Sequence, residues 1–299
     1  NGTSGWANVA GGTGATTTTY TTAALTSTLY YRVQVTQSPN GCETFSNAAP
    51  VFVATITAQP TTPAPICVGG VVNLNIAASL NGGAGTLSYQ WQSSATGTSG
   101  WANVSGGTGG TTNSYTSGAL SASTFYRCIV TSSTTNCTLT SNTVQATVVP
   151  DPAITVQPTG TTICSGGNHT LTVVATNGTP SLTYQWSSSI DNITFNTISG
   201  ATSATYITPA LTQTTYYRVA VSASGNGCTT ITSAVGTVVV LSDIFITTQP
   251  IVRTNICSGS TATLNVAASG GSGNYTYQWK SATVLAGPYT NVSGATSSS

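Results

Sequence analysis

The chain is 299 residues long and carries 5 Lys+Arg against 4 Asp+Glu, a net charge of +1 with only 3% of residues charged. Soluble domains usually carry about 25%, and so neutral a surface has no field to draw in phosphate backbones or anionic lipid, which argues against nucleic-acid and membrane-surface partners. Hydrophobic residues make up 39% of the chain, enough for ordinary cores, yet no apolar run approaches the roughly 20 residues that a membrane span needs.

Seven Cys in regular places, with no C-x-x-C pair and a single His, favour disulfides in an oxidising compartment over a metal site. The start, Asn1-Gly2-Thr3-Ser4, has neither the basic residues nor the apolar run of a signal peptide. An extracellular or cell-surface location is therefore expected from the cysteines and from a polar complement dominated by Thr, Ser, Asn and Gly.

Landmarks recur along the chain. Trp91, Trp186 and Trp279 are 95 and 93 residues apart, Tyr31, Tyr126 and Tyr217 are 95 and 91 apart, and Cys67, Cys164 and Cys257 are 97 and 93 apart. These spacings define a unit of about 94 residues. Residues 1–53 are the back half of such a unit, since Gly5-Trp6-Ala7-Asn8-Val9 matches Gly100-Trp101-Ala102-Asn103-Val104 and Tyr30-Tyr31-Arg32-Val33 supplies a Tyr-led strand. Residues 54–149 and 150–242 are complete units. Residues 243–299 are the front half of a fourth, ending after its Trp strand.

Within the third unit, Ile154-Thr155-Val156 opens the fold and ends at Gln157-Pro158, a Pro acceptable only on an edge strand or at a kink. Gly166-Gly167 then turns the chain into 170–175, where Leu171, Val173 and Ala175 alternate inward. Leu182, Tyr184 and Trp186 share one face of the next strand, and Thr183 and Gln185 the other. Two short strands follow around 195–200 and 205–207; Tyr217, Val219 and Val221 then share a core face, and 229–241 closes the unit. No segment has a 3.6-residue apolar period, so the chain reads as all-β. A core Trp followed thirty residues later by the Tyr-led strand beginning at Tyr216 is the pattern of an immunoglobulin-like sandwich. Trp91, Trp186, Trp279, Tyr31, Tyr126 and Tyr217 are its expected core anchors. The junctions around 148–154 and 238–244 contain no Gly/Ser linker, and Pro150 and Pro152 stiffen the first of them. The expected architecture is therefore tandem immunoglobulin-like β-sandwiches arranged end to end as a rod.

The order Gln-Pro, Ile-Cys-Ser-Gly, apolar alternation, Tyr-Gln-Trp, Ser-Gly-Ala-Thr, Tyr-Tyr-Arg-Val and Gly-Cys resembles the tandem Ig-like repeats of very large Bacteroidota surface proteins. That resemblance covers the whole chain and implies export by the type IX system and a role among adhesins, including those associated with gliding. Its motifs specify a fold rather than an activity.

Catalysis needs convergent ionisable groups, and the supply here is Glu43, Asp151, Asp191, Asp243, His169, Lys280 and four Arg, scattered over different units. No enzyme, cofactor or metal is expected, and no junction offers the carboxylates of a calcium-stiffened joint. His169 aligns with Val72 and Ala262 and reads as a substitution at a strand start. Arg32, Arg127 and Arg218 recur at the outward position of the Tyr-led strand, where packing of the stem over an exposed aromatic is the plainer reading than a ligand-binding ladder. Trp6 and Trp101 follow Gly-rich loops; they either cover the edge of the sandwich or stack against a sugar ring, so surface glycans are candidate partners. The Asn-x-Ser/Thr triplets at Asn103 and Asn192 are expected by chance in so Ser- and Thr-rich a chain.

Cys42, Cys67, Cys137, Cys164, Cys228 and Cys257 are the candidates for structural disulfides. Cys128 stands in place of Val33 and Val219 with Ile76 at the opposing position, and reads as a free, buried thiol. Two pairings remain open. Within units, Cys67 would join Cys137 and Cys164 would join Cys228. In ordinary immunoglobulin order, however, a strand of some eight residues separates those pairs by about 25 Å, against the roughly 4.4–6.8 Å between Cα atoms that a disulfide allows. Across the joint, Cys67 would join Cys228, and Cys164 a cysteine of the fourth unit beyond this sequence.

These features favour a structural segment of a long extracellular bacterial stalk, filament or adhesin whose repeats give reach and stiffness. The alternatives are a repeated weak carbohydrate-binding module and a spacer attached to a secreted enzyme. Partners are neighbouring repeats of the same chain or of further copies in a filament, because the halves 1–53 and 243–299 cannot bury their apolar faces alone.

Overall fold

Residues 2–251 and 255–298 are described here from a computed structural model; Arg253, the fourth arginine, lies outside them. Among the described residues every regular element is a strand, as period-two alternation of apolar side chains dictates, and no helix is long and apolar enough to cross a membrane. The strands build tandem immunoglobulin-like β-sandwiches.

In the second repeat, one sheet runs from Ala102–Asn103 through Leu87–Ser94 to Thr124–Ser132, whose far edge is paired by Thr138–Thr140 and then Val144–Ala146. The facing layer consists of Thr55–Ala58 against Ala77–Ser79 and Asn73–Asn75 against Ser114–Thr116. The third repeat follows the same plan. Its Ala153–Val156 pairs antiparallel with Val174–Thr176, after which Thr161–Cys164 lies parallel to Gly236–Leu241 on the edge of a 6-stranded sheet.

The Gln-Pro dipeptide explains that change of layer. Pro has no N–H for a ladder bond, so at Pro158 the opening strand leaves its first partner and is free to pair with the opposite sheet. The preceding Gln anchors the crossing: Ala234 N–H donates to Gln157 Oε1 at 2.8 Å, and Asn142 N–H to Gln59 Oε1 at 3.0 Å in the second repeat.

Each complete repeat is centred on its Trp. Trp91 and Trp186 are fully buried, and their indole N–H groups donate to Thr112 O at 2.9 Å and Ser203 O at 2.8 Å, so the one polar atom of each ring is satisfied inside the core. Trp91 sits opposite Cys128 in the ladder. An aromatic column continues from it through Tyr115 (6.0 Å) to Tyr126 (a further 5.7 Å), repeated as Trp186–Tyr206 (5.9 Å) and Tyr206–Tyr217 (5.8 Å). Burial, with the neighbouring tyrosine adding to it, pushes the Tyr126 and Tyr217 hydroxyls up to about 12.

A second recurring device fixes the Tyr strand. Ser141 accepts from Cys128 N–H through its side chain at 2.9 Å and returns its own N–H to Cys128 O, and Ser233 does the same with Val219 and Ser46 with Val33.

The half-repeats differ from the expected core. Tyr31 and Trp279 are only half-buried, Val33 is 47% exposed and Val35 57%, where their equivalents Cys128, Val219, Val130 and Val221 are buried. In the complete repeats those equivalents are packed under a facing layer that includes Asn73–Asn75 against Ser114–Thr116 and Thr170–Thr172 against Thr205–Ile207. The Trp279 indole nonetheless donates to Ser297 O at 2.8 Å, as Trp91 and Trp186 do to Thr112 O and Ser203 O.

The chain divides into two compact units. One comprises residues 1–151 together with 177–181 and 223–229; the other comprises 152–176, 182–222 and 230–299. Two loops of the third repeat thus belong to the first unit.

Candidate functional site

Those two loops take part in a covalently and sterically fixed site. Cys67, fully buried at the end of Ile66–Cys67, is joined by a disulfide to Cys228, with Cα atoms 4.7 Å apart and 161 residues between them in sequence. Cys228 closes the hairpin that follows the Tyr strand of the third repeat.

The surroundings show why the two cysteines meet. Cys67-Val68-Gly69-Gly70 folds as a turn in which Gly70 N–H donates to Cys67 O at 3.0 Å, with Gly69 at φ +84°. Into this turn fits the hairpin Asn226-Gly227-Cys228. Asn226 accepts twice, from Cys67 N–H to its carbonyl at 2.9 Å and from Val71 N–H to its side-chain oxygen at 2.7 Å. The backbones of Gly70 and Gly227 touch: a Cβ on Gly227 would lie 2.3 Å from Gly70 N, and one on Gly70 would lie 2.5 Å from Asn226 O. Only two glycines permit so close an approach. The linking segment is tied in as well, since Gly178 N–H donates to Pro150 O at 3.0 Å and Thr229 N–H to Asp151 Oδ1 at 3.1 Å. Asp151, one of only four carboxylates in the chain, serves here as an acceptor for a loop amide.

The within-unit pairing of Cys67 with Cys137 and of Cys164 with Cys228 is thus not formed. Cys42, Cys137, Cys164 and Cys257, expected in structural disulfides, carry free thiols and are exposed. The physical reason is the one the strand length gives: the two cysteines of a repeat lie at opposite ends of it, out of bonding range. Cys128 is free and buried, and burial pushes its thiol up to about 11.

The exposed Arg and aromatic residues form a separate, repeated feature. The Arg127 guanidinium lies 4.3 Å from the Trp101 ring centroid and donates from Nε to Gln92 Oε1 at 2.9 Å. Arg32 lies 4.3 Å from both Trp6 and Phe45, and Arg218 lies 4.0 Å from Phe195. One face of each Trp is therefore covered by a cation, within the range of a cation–π contact.

The ionisable residues named from sequence are not brought together. The His169 ring nitrogen Nε2 hydrogen-bonds Thr159 O at 3.1 Å, Glu43 accepts from the Gln34 side chain, and Asp191 Oδ1 accepts from Ser189 Oγ and from the N–H groups of Ile193 and Thr194. Those hydrogen bonds hold the Asp191 carboxyl at about 2. Among the described residues no group of three His, Cys, Asp or Glu is placed to hold a metal.

Two determinants went unread in the sequence: Tyr115 and Tyr206 as the middle rings of the aromatic columns, and the Ser46/Ser141/Ser233 bridge. Both had a signal in the repeat, since Tyr20, Tyr115 and Tyr206 are 95 and 91 apart and the serines 95 and 92 apart.

Fold and joint together define a tandem immunoglobulin-like repeat protein. The chain belongs to a family described as a domain of unknown function (DUF8696), which matches residues 1–55, 54–150 and 153–242. No curated protein matches it. Among solved structures it is similar to Drosophila OTK extracellular domains 3–5 (17% identity, 71% of this chain and 70% of that one, TM-score 0.37). It is also similar to Sidekick-1 immunoglobulin domains 1–5 (15%, 81% and 52%, TM-score 0.37) and to the titin I-band fragment I67–I69 (11%, 66% and 69%, TM-score 0.40). The chain thus spans about half of the Sidekick-1 segment.

Proposed function

We propose that the chain is a structural segment of a long extracellular stalk, filament or adhesin, of the kind its sequence resembles among Bacteroidota surface proteins exported by the type IX system. The observation that carries this reading is the stapled joint: a disulfide, two hydrogen bonds to one Asn and a glycine-on-glycine contact, spent on fixing one repeat to the next rather than on building a pocket. A chain with only 3% of its residues charged and its other polar residues mostly hydroxyls and amides suits a shaft that must not adhere along its length.

Small-angle scattering of the oxidised chain tests it. Repeats that follow one another end to end advance by roughly 40 Å each, from strands of about ten residues at 3.3 Å plus turns, and give an extended profile. A distribution of compact, folded-back particles overturns the reading. Glycan binding through Trp6 and Trp101 is disfavoured by the guanidinium groups on their rings; on a glycan array the chain is expected to give no concentration-dependent signal.

A further inference from the structure

We infer that Asn226-Gly227 is a self-modification site, held unreactive while the Cys67–Cys228 joint is closed and released when that joint opens.

The chemistry is that of an asparagine followed by glycine, where no Cβ obstructs the approach of the side chain to the next backbone nitrogen. The Gly227 nitrogen bonds to Asn226 Cγ and gives up its proton. The side-chain nitrogen leaves with that proton as ammonia, and a cyclic imide remains. Solvent water then opens the ring at either carbonyl, giving aspartate or isoaspartate, the latter with its backbone running through the side-chain carbon. Water is the only other reactant, and it reaches the site already, since Asn226 and Gly227 are both exposed. Protection in the closed joint is therefore conformational.

The hydrogen bonds show how it is achieved. Asn226 Oδ1 accepts from Val71 N–H at 2.7 Å and Asn226 O from Cys67 N–H at 2.9 Å. Swinging Cγ onto the Gly227 nitrogen breaks the first bond and twists the peptide group that makes the second. The base of the hairpin is pinned as well, because Gly225 N–H donates to Thr179 O at 2.8 Å and Cys228 N–H to Gly225 O at 3.1 Å. Gly227 has no room to turn toward the side chain: a Cβ there would lie 2.3 Å from Gly70 N. The disulfide adds a covalent hold at the very next residue.

Reduction removes that hold. An external dithiol attacks one sulfur, is itself oxidised to a cyclic disulfide, and leaves Cys67 and Cys228 as thiols. The hairpin then leaves the turn and the imide can close. Isoaspartate lengthens the hairpin backbone by one carbon, about 1.5 Å, in a contact that already excludes a single Cβ. A chain modified in this way does not close the joint again, so the site records irreversibly that the joint has stood open.

Asn81-Gly82 supplies a comparison within the same chain. Its side-chain nitrogen donates to Val53 O at 2.7 Å and Thr55 Oγ1 at 3.0 Å, two partners that take no part in the joint.

The test is incubation of the whole chain at mildly alkaline pH, oxidised or with dithiothreitol, followed by peptide mass spectrometry for ammonia loss at both asparagines. Asn226 is expected to convert at least about tenfold more slowly in the oxidised chain, because there the reaction draws only on the opened fraction. Asn81 is expected to convert at one rate in both. Gly70→Ala, which opens the joint without a reductant, is expected to raise the Asn226 rate as dithiothreitol does. On reoxidation, unmodified chains are expected to regain the disulfide and isoaspartate chains to keep Cys67 and Cys228 as thiols. Equal Asn226 rates in the oxidised and reduced chains, an equal rise at Asn81, or a disulfide regained by isoaspartate chains overturns the inference.

Discussion

At the scale of single residues, the repeats act as internal controls on one another. Thr96 occupies the place of Asp191, five residues after the repeat Trp, and accepts from the loop N–H groups of Thr98 and Ser99 as Asp191 does from Ile193 and Thr194. Asp191→Thr is therefore expected to leave the loop and the neutral-pH thermal midpoint unchanged. The carboxyl titrates lower when folded than its ordinary 3.8, so any stability it lends is present above that value and lost as pH falls toward about 2. The N–H resonances of Ile193 and Thr194 are expected to shift over that window in the parent and not in the variant. Cys128 makes a second comparison, because Val fills the same place in the first and third repeats. Cys128→Val is expected to change unfolding free energy by less than about 1.5 kcal/mol, and the native Cys128 thiol, raised by burial, should ignore thiol reagents until the repeat unfolds. The Arg127–Trp101 contact calls for a double-mutant cycle. Coupling of about 0.5–1 kcal/mol between Arg127→Ala and Trp101→Ala is expected for an exposed cation–π pair, and none at all would reduce the contact to side-chain proximity.

Elements show how far the sequence could be read. Alternation placed Leu171, Val173, Ala175, Leu182, Tyr184, Trp186, Tyr217, Val219 and Val221 on inward faces; the structure buries six of them and packs Ala175, Leu182 and Tyr184 half-buried against that cluster, since period two is enforced by backbone geometry and needs no knowledge of the partner strand. The change of sheet at Pro158 was only half legible. A missing N–H forbids a central ladder position but does not say which strand the chain pairs with next. Tyr206 was legible as a strand residue and not as a bridge between two rings, because which face of a three-residue strand is covered depends on the opposite sheet. The joint was the least legible element. Cysteine spacing admitted two pairings and strand length disfavoured the one within units, but the approach of Gly70 to Gly227 that brings Cys67 to Cys228 is expressed by no linear pattern. Gly70→Ala tests that decision: its Cβ meets Asn226 O at 2.5 Å. Thiol titration of the denatured variant is expected to find two more free thiols than in the parent, with the Trp91 and Trp186 cores unaltered in near-ultraviolet circular dichroism. Full retention of the disulfide would show that the glycine contact is dispensable.

For the molecule as a whole, the staple changes what happens under tension. Cys67 and Cys228 are 4.7 Å apart in space but 161 residues apart along the chain, so a pull transmitted from before Cys67 to after Cys228 passes through sulfur and bypasses the segment between them. That segment, including the Trp strands and Tyr strands of both complete repeats, carries no load. Extended fully, it would contribute about 550 Å at 3.3–3.6 Å per residue. In single-molecule stretching the oxidised chain should lack that length and the reduced chain should release it. Both Trp91 and Trp186 lie inside the shielded loop, so the covalent path that fixes the joint also withholds the two largest buried side chains from mechanical unfolding.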